Sequence, residues 1–143
     1  MLNYHGAPNW GFVLEHRMKR IAVLLAEDHT IVRQGLKLLI EADGDIVVVG
    51  EAKTGREAVQ MTRDLCPELV VMDIAMPLLN GVQATRQILE GIPGVKVLIL
   101  SAHSDAGYVE QVAEMGASGY PLTTRSTFLS DFTALRRRWM RSR

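Results

Sequence analysis

Apolar and polar positions along this chain fall into blocks with two alternating periods. Ile21-Ala22-Val23-Leu24-Leu25-Ala26, Ile46 to Val49, Leu69-Val70-Val71-Met72 and Val95 to Leu100 are short, nearly unbroken apolar runs. Such runs read as strands buried on both faces, as parallel sheets require. Between them lie stretches with a period near 3.6. The first predicts a helix over roughly Thr30 to Glu41, with Val32, Leu36 and Leu39 on one stripe and Asp28 or His29 near its cap. Thr54-Gly55-Arg56-Glu57 is a capping box opening a second helix, which carries Ala58, Met61, Thr62 and Leu65 and is ended by Pro67. A third helix is predicted from about Val82 to Leu89. A fourth runs from about Asp105 to Met115, with Gly116 as its stop. Gly119 to Leu122 reads as a short fifth strand, and Pro121, which cannot donate to a ladder, places it at an edge. Phe128, Phe132, Leu135 and Trp139 then recur at i, i+4, i+7 and i+11, one face of a last helix.

Strands alternating with helices imply parallel strands joined by right-handed crossovers. The fold class is therefore α/β: a doubly wound five-stranded parallel sheet, helices on both faces, in strand order 2-1-3-4-5. Residues 1–17 fit poorly with this rhythm. Gly6, Pro8 and Gly11 interrupt them, and Trp10, Phe12, Val13 and Leu14 make only a short apolar patch. Residues 1–18 are read as an irregular N-terminal extension and 19–143 as the domain, with an atypical segment from about residue 121.

Composition narrows the partners. The 143 residues suit one domain, and sixteen basic residues cancel sixteen acidic ones, so overall charge points to neither nucleic acid nor membrane. Six arginines lie from Arg125 onward, against the single acid Asp131. With the apolar stripe facing the core, these arginines read as a solvated helix end rather than a DNA-binding tail. Cys66 is the only cysteine, so no internal disulfide forms and a reducing, cytoplasmic setting is the expectation. No apolar run approaches the ~20 residues of a membrane span, and no signal-peptide pattern opens the chain.

The chemistry sits where strands end. The first apolar run closes on Glu27-Asp28 and the third on Asp73. In the predicted order these two strands flank the switch point, where open α/β sheets bind ligands. Clustered carboxylates repel unless a cation joins them, and a few hard oxygen ligands suit Mg²⁺. A carboxylate such as Asp73 can attack phosphorus to give an acyl phosphate. Ser101, at the end of the fourth strand, can donate to a phosphoryl oxygen. Taken singly, Glu27-Asp28 reads as a helix cap, Ser101 as a turn residue and Asp73 as a loop carboxylate. At three successive strand ends they read as one site.

Glu27-Asp28, Asp73-Ile74-Ala75-Met76-Pro77, Gly81, Leu100-Ser101 and Gly116-Ala117-Ser118-Gly119-Tyr120 carry a resemblance in their order and spacing. From about Lys19 to Leu122 the chain resembles the receiver domain of bacterial two-component response regulators, a flavodoxin/CheY-like three-layer sandwich. The stretches AEDHTIVRQGL, DIAMPLLNGV and GASGY are especially similar to the LuxR/NarL-type branch. The resemblance implies that Asp73 is the phosphoacceptor, loaded by a sensor histidine kinase. It implies that Asp28 and Asp73 bind Mg²⁺ directly, Glu27 through water, and Ala75 through its backbone carbonyl. Ser101 becomes the switch hydroxyl, and Tyr120 the aromatic that turns inward as the helix-four, strand-five and helix-five face repacks. Ala75 and His103 occupy positions that tune phosphate hydrolysis. Such a receiver is no enzyme beyond its own phosphotransfer and dephosphorylation. It is compatible with a homodimer, and it meets DNA only through an output domain.

The departures matter as much. Three residues after the switch aromatic the family has a lysine that pairs with the phosphoryl group, and here Thr123 stands there. Arg125 lies two residues on. The likeness fades after Pro121, no helix-turn-helix follows, and the abrupt change suggests truncation or a reading-frame change. The alternative reading is a phosphorylation-independent pseudo-receiver that binds partners through the same face. A haloacid-dehalogenase-type phosphatase would need a second acid where Ala75 stands. Dinucleotide binding would need a glycine-rich turn where Glu27-Asp28-His29 stands.

Overall fold

The structure, a computed structural model, describes residues 2–3, 7–8, 20–101, 122–124 and 127–141. Five parallel strands form its centre: β1 (Ile21–Ala26), β2 (Ile46–Ala52), β3 (Leu69–Asp73), β4 (Lys96–Ser101) and β5 (Leu122–Thr124). Their order is β2-β1-β3-β4-β5, as the alternation of elements implies. Successive residues of each strand point to opposite faces. Leu24, Ala26, Val70, Met72, Val97 and Ile99 therefore pack on one side, against Ala58 and Val59 of α2 (Gly55–Leu65) and Val82 and Ile88 of α3 (Gly81–Gly91). Ile21, Val23, Leu25, Leu69, Val71, Leu98 and Leu100 pack on the other. There they meet Leu36 and Ile40 of α1 (Thr30–Glu41) and Phe128 and Phe132 of the C-terminal helix (Phe128–Arg141).

Several details differ from expectation. Leu39 is 45% exposed, and Ile40 takes its place in the core, because the buried stripe of α1 runs through Arg33, Leu36 and Ile40. β2 extends to Ala52, so the acid Glu51 lies inside a strand. Thr54 caps α2 by accepting from the Glu57 N–H at 3.1 Å, but Glu57 returns its bond to Lys53 N rather than to Thr54. The complete capping box belongs to α3, between Asn80 and Gln83. Of the fifth strand, Leu122–Thr124 lies among the described residues and forms the sheet edge through parallel pairing with β4, while Gly119 to Pro121 lie outside them. The fourth helix, Gly116, His103, Tyr120, Pro121 and Arg125 lie outside the described residues, as do Trp10 and Phe12. Within the N-terminal extension, Leu2–Asn3 pairs antiparallel with Ala7–Pro8.

The C-terminal helix docks by its aromatic stripe. Phe128 and Phe132 stack with ring centroids 5.3 Å apart. Leu135 packs beside them, and the side chain of Trp139 is outside those described. The arginines are not uniformly solvated. Arg137, Arg138 and Arg141 are exposed, but Arg136 reaches back to the turn before β2, pairing with Asp43 at 3.0 Å and with Asp45.

Candidate functional site

The ends of β1 and β3 build an acidic pocket. The β1–β2 ladder runs one residue past the strand, with Glu27 N donating to Ala52 O at 3.0 Å. The β3–β4 ladder likewise continues with Ile74 N donating to Leu100 O at 3.0 Å. Both exits are therefore held by backbone bonds, and the carboxylates that follow start from fixed positions. Glu27 and Asp73 are buried, and Asp28 is half-buried. One ligand atom from each of Glu27, Asp28, His29 and Asp73 lies within 4.8 Å of all the others. The three carboxylates read from the sequence are thus brought together.

Local chemistry fixes each carboxylate. Ala75 N donates to Asp73 Oδ1 at 3.2 Å, which sets the rotation of the side chain. The loop beyond it is tightly closed: Gly81 N donates to Ile74 O and Leu79 N to Pro77 O, both at 2.8 Å. Leu78 is the strained member of this turn, exposed and in the left-handed region at φ 69°. On the β1 side, Arg33 is only 6% exposed. Its Nη1 donates to Glu27 O at 2.8 Å and its Nε to Glu51 Oε1 at 3.1 Å. This buried guanidinium orients the peptide that carries the site's first acid, while Glu51 meets part of its charge.

Sequence reasoning missed the burial of Arg33, and it placed His29 near the cap of α1, where it stands, without foreseeing its contact with Glu27. The signal for Arg33 was its spacing, i, i+3 and i+7 with Leu36 and Ile40, which puts an arginine on the core stripe. Ser101 ends β4 in register with Thr124. Thr123 is in register with Leu100, which is itself in register with Asp73. Asp73 and Thr123 therefore stand level with each other, two strands apart. The side chains of Ser101 and Thr123, and all of Tyr120, are outside what is described.

Gly81 ties the site to α3. A Cβ there would lie 2.2 Å from Asp73 O and 2.8 Å from Ile74 Cα, backbone atoms that cannot swing away. Gly81→Ala is expected to destabilise the domain by about 2–3 kcal/mol and to slow any reaction at Asp73. Thermal denaturation alongside a labelling rate checks both, and an unchanged pair of values would show that the loop yields freely.

The fold and site together define a doubly wound α/β protein with a carboxylate cluster at the switch point of its sheet. Residues 23–122 match the response regulator receiver domain family. The chain is 40% identical over 103 residues to the transcriptional regulatory protein DegU of Brevibacillus brevis, covering 72% of this chain and 44% of that one. Among solved structures it is similar to a LuxR-family two-component response regulator from Aurantimonas sp. SI85-9A1, with 32% identity, a TM-score of 0.74 and 87% of each chain covered. It is also similar to the receiver domain of a NarL response regulator from Mycobacterium tuberculosis, with 27% identity, a TM-score of 0.70, and 82% and 96% covered. The chain belongs to the response regulator receiver domain family of two-component signalling, and its relatives are transcription regulators of LuxR/NarL type. It spans about half the length of the curated relatives it matches. Among the described residues no helix is long and apolar enough to cross a membrane.

Proposed function

We propose that this receiver accepts a phosphoryl group on Asp73 from a phosphohistidine of a sensor kinase, in the cytoplasm, and relays the event to the face that carries β5. The observation that carries this reading is the convergence of Glu27, Asp28 and Asp73 at the switch point. A carboxylate oxygen of Asp73 attacks phosphorus as the bond to the histidine nitrogen breaks; with the other ring nitrogen protonated, the kinase's imidazole leaves neutral and an acyl phosphate remains on Asp73. The Ala75 N–H holds Oδ1 at 3.2 Å, so the carboxylate meets the phosphoryl group in one orientation.

Mg²⁺ fits the donor set. Asp28 Oδ1 is buried and accepts no hydrogen bond, and the oxygen-rich cluster suits a hard ion. When bound, Mg²⁺ neutralises charge shared by the carboxylates and the incoming phosphoryl oxygens. Asp28 and Asp73 would hold it directly, Glu27 through water and Ala75 through its carbonyl. Ser101 then donates its hydroxyl to the phosphoryl group, and Tyr120 follows it inward. An output domain of LuxR/NarL type, where joined, carries the contact with DNA, and pairing of two receivers is the homodimer such a regulator would use.

Incubation with acetyl phosphate and Mg²⁺ tests the reading. An acid-stable, base-labile phosphoryl adduct is expected by mass spectrometry, and its absence from the wild-type chain would sink the proposal.

Thr123 favours one second reading, a pseudo-receiver that no longer needs phosphate. Level with Asp73 but roughly 10 Å across two strands, this position suits a lysine's four-carbon stem, whereas threonine's hydroxyl ends one bond beyond Cβ. Thr123→Lys is expected to restore a charge-assisted contact worth about 1.5 kcal/mol, roughly tenfold in the rate of labelling. A rate unmoved by the lysine would show that charge at this position does not limit phosphoryl uptake.

A further inference from the structure

Asp28 lies between two backbone carbonyls, and one residue holds both. The Arg33 N–H donates to His29 O at 2.8 Å, the bond that opens α1. The Arg33 side chain turns back past the start of the helix, where Nη1 donates to Glu27 O at 2.8 Å. Nε of the same guanidinium donates to Glu51 Oε1 at 3.1 Å. Glu51 precedes Ala52, whose carbonyl accepts the Glu27 N–H at 3.0 Å. These bonds close a ring through α1, the exit of β1 and the end of β2.

We propose that Arg33 is a positioning residue for phosphoryl transfer at Asp73. It acts through the Glu27 carbonyl to hold Asp28 in place, and Glu51 is the anchor that aims the guanidinium. This rests on the reading of Asp73 as the phosphoacceptor and Asp28 as its metal-holding neighbour.

Rigidity and burial carry the argument. A guanidinium is a flat fork, so once Nε is fixed on Glu51 the direction of Nη1 is fixed as well. Arg33 is only 6% exposed, so water does not compete for these bonds. Core packing alone does not ask for an arginine here. An apolar side chain would complete the stripe of Leu36 and Ile40, and exchanging a buried charged pair for apolar packing is often neutral in stability. The Glu27 carbonyl does ask for a donor.

Asp28 needs such support. Its side chain is 29% exposed, and that of His29, beside it, is 60% exposed, so packing fixes neither. The place of Asp28 relative to Asp73 is therefore set by its backbone, on which Arg33 holds the carbonyls to either side. Misplacement of a reacting group by about 1 Å can slow a reaction by up to about a hundredfold.

Labelling of the full chain by acetyl phosphate at saturating MgCl₂ tests this, on wild type, Arg33→Met, Arg33→Lys, Glu51→Ala and the Arg33→Met/Glu51→Ala double variant. Methionine keeps an unbranched chain in the stripe but donates nothing, and Arg33→Met is expected to label about tenfold more slowly. Arg33→Lys, whose ammonium can still donate to the Glu27 carbonyl, is expected to recover most of that loss. Glu51→Ala frees the fork without removing it and is expected to slow labelling about threefold, with the double variant no slower than Arg33→Met.

Amide hydrogen exchange supplies a readout independent of the reaction. The His29 N–H, which donates to Glu27 Oε1, is expected to exchange about tenfold faster in metal-free Arg33→Met, while Leu24 and Val70 within the paired strands stay protected. Thermal denaturation confirms that each variant is folded. A folded Arg33→Met that labels at the wild-type rate would overturn the proposal. So would losses that add in the double variant or simply follow the melting temperature, the mark of two separate structural residues. Should the wild type itself take no label, the phosphoacceptor reading fails. Exchange at His29 then decides the role of Arg33 alone, and an unchanged rate in Arg33→Met would overturn it too.

Discussion

Asp73→Asn is expected to abolish phosphoryl uptake while leaving the metal-free fold at least as stable as the wild type. Asparagine has the shape of aspartate, and its Oδ1 can still accept the Ala75 N–H now 3.2 Å from Asp73 Oδ1. The buried end of β3 therefore keeps its geometry. What goes is the nucleophilic carboxylate, without which no acyl phosphate forms. What also goes is one of three negative charges whose ligand atoms lie within 4.8 Å of each other. Relief of that repulsion is on the order of 1 kcal/mol in favour of the variant. Divalent cations are expected to reverse the sign: on the proposed reading they would bind the wild-type folded state more tightly and stabilise it by mass action. Labelling by acetyl phosphate and thermal melts with and without MgCl₂ measure both effects. An adduct that persists on Asp73→Asn at the wild-type rate would move the phosphoacceptor elsewhere. A variant that melts well below wild type without metal would show that the carboxylate is structural.

Much of this site was legible before any coordinates, because strand ends advertise themselves. An apolar run that stops on an acid names both the element and the edge at which the acid appears, and the strand order then says which edges meet. Glu27, Asp28 and Asp73 needed nothing more. The misreadings share a cause: a single pattern does not specify rotation about a helix axis. Leu39 and Ile40 are adjacent and equally apolar, and only the pocket beneath α1 selects Ile40. Arg33 was hidden because a charged residue reads as solvent-facing, whereas here the Glu27 carbonyl and the Glu51 carboxylate make burial tolerable. Glu51 was invisible as its partner, since the two are brought together by a β2 longer than its apolar run. Arg136 escaped for the same reason, as its acids Asp43 and Asp45 lie some ninety residues away. The cap of α1, read as Asp28 or His29, is His29, but its side chain makes no capping bond and its Nδ1 meets Glu27 Oε1 instead.

Phe128→Ala is expected to cost about 3–5 kcal/mol, the largest loss of stability of any substitution considered. The family match ends at residue 122, yet the sheet face beyond it is not left bare. Phe128 is 1% exposed, stacks on Phe132, and joins the cluster formed by Ile21, Val23, Leu98 and Leu100. Truncation to alanine removes the ring from this cluster and leaves Phe132 facing a void that helix movement fills only in part. For a domain of this size the melting temperature should fall by roughly 12 °C. Leu129→Ala, one residue on and exposed, should change stability by less than about 0.5 kcal/mol. That contrast separates docking of the helix from its intrinsic helicity, which both substitutions alter. It also bears on signalling, because the C-terminal helix follows directly from β5 and covers the β-strand residues beside it. A Phe128→Ala loss below 1 kcal/mol, or equal effects at the two positions, would mean that this helix does not seal the sheet. The strand carrying Thr123 would then lack the support that any repacking of its face requires.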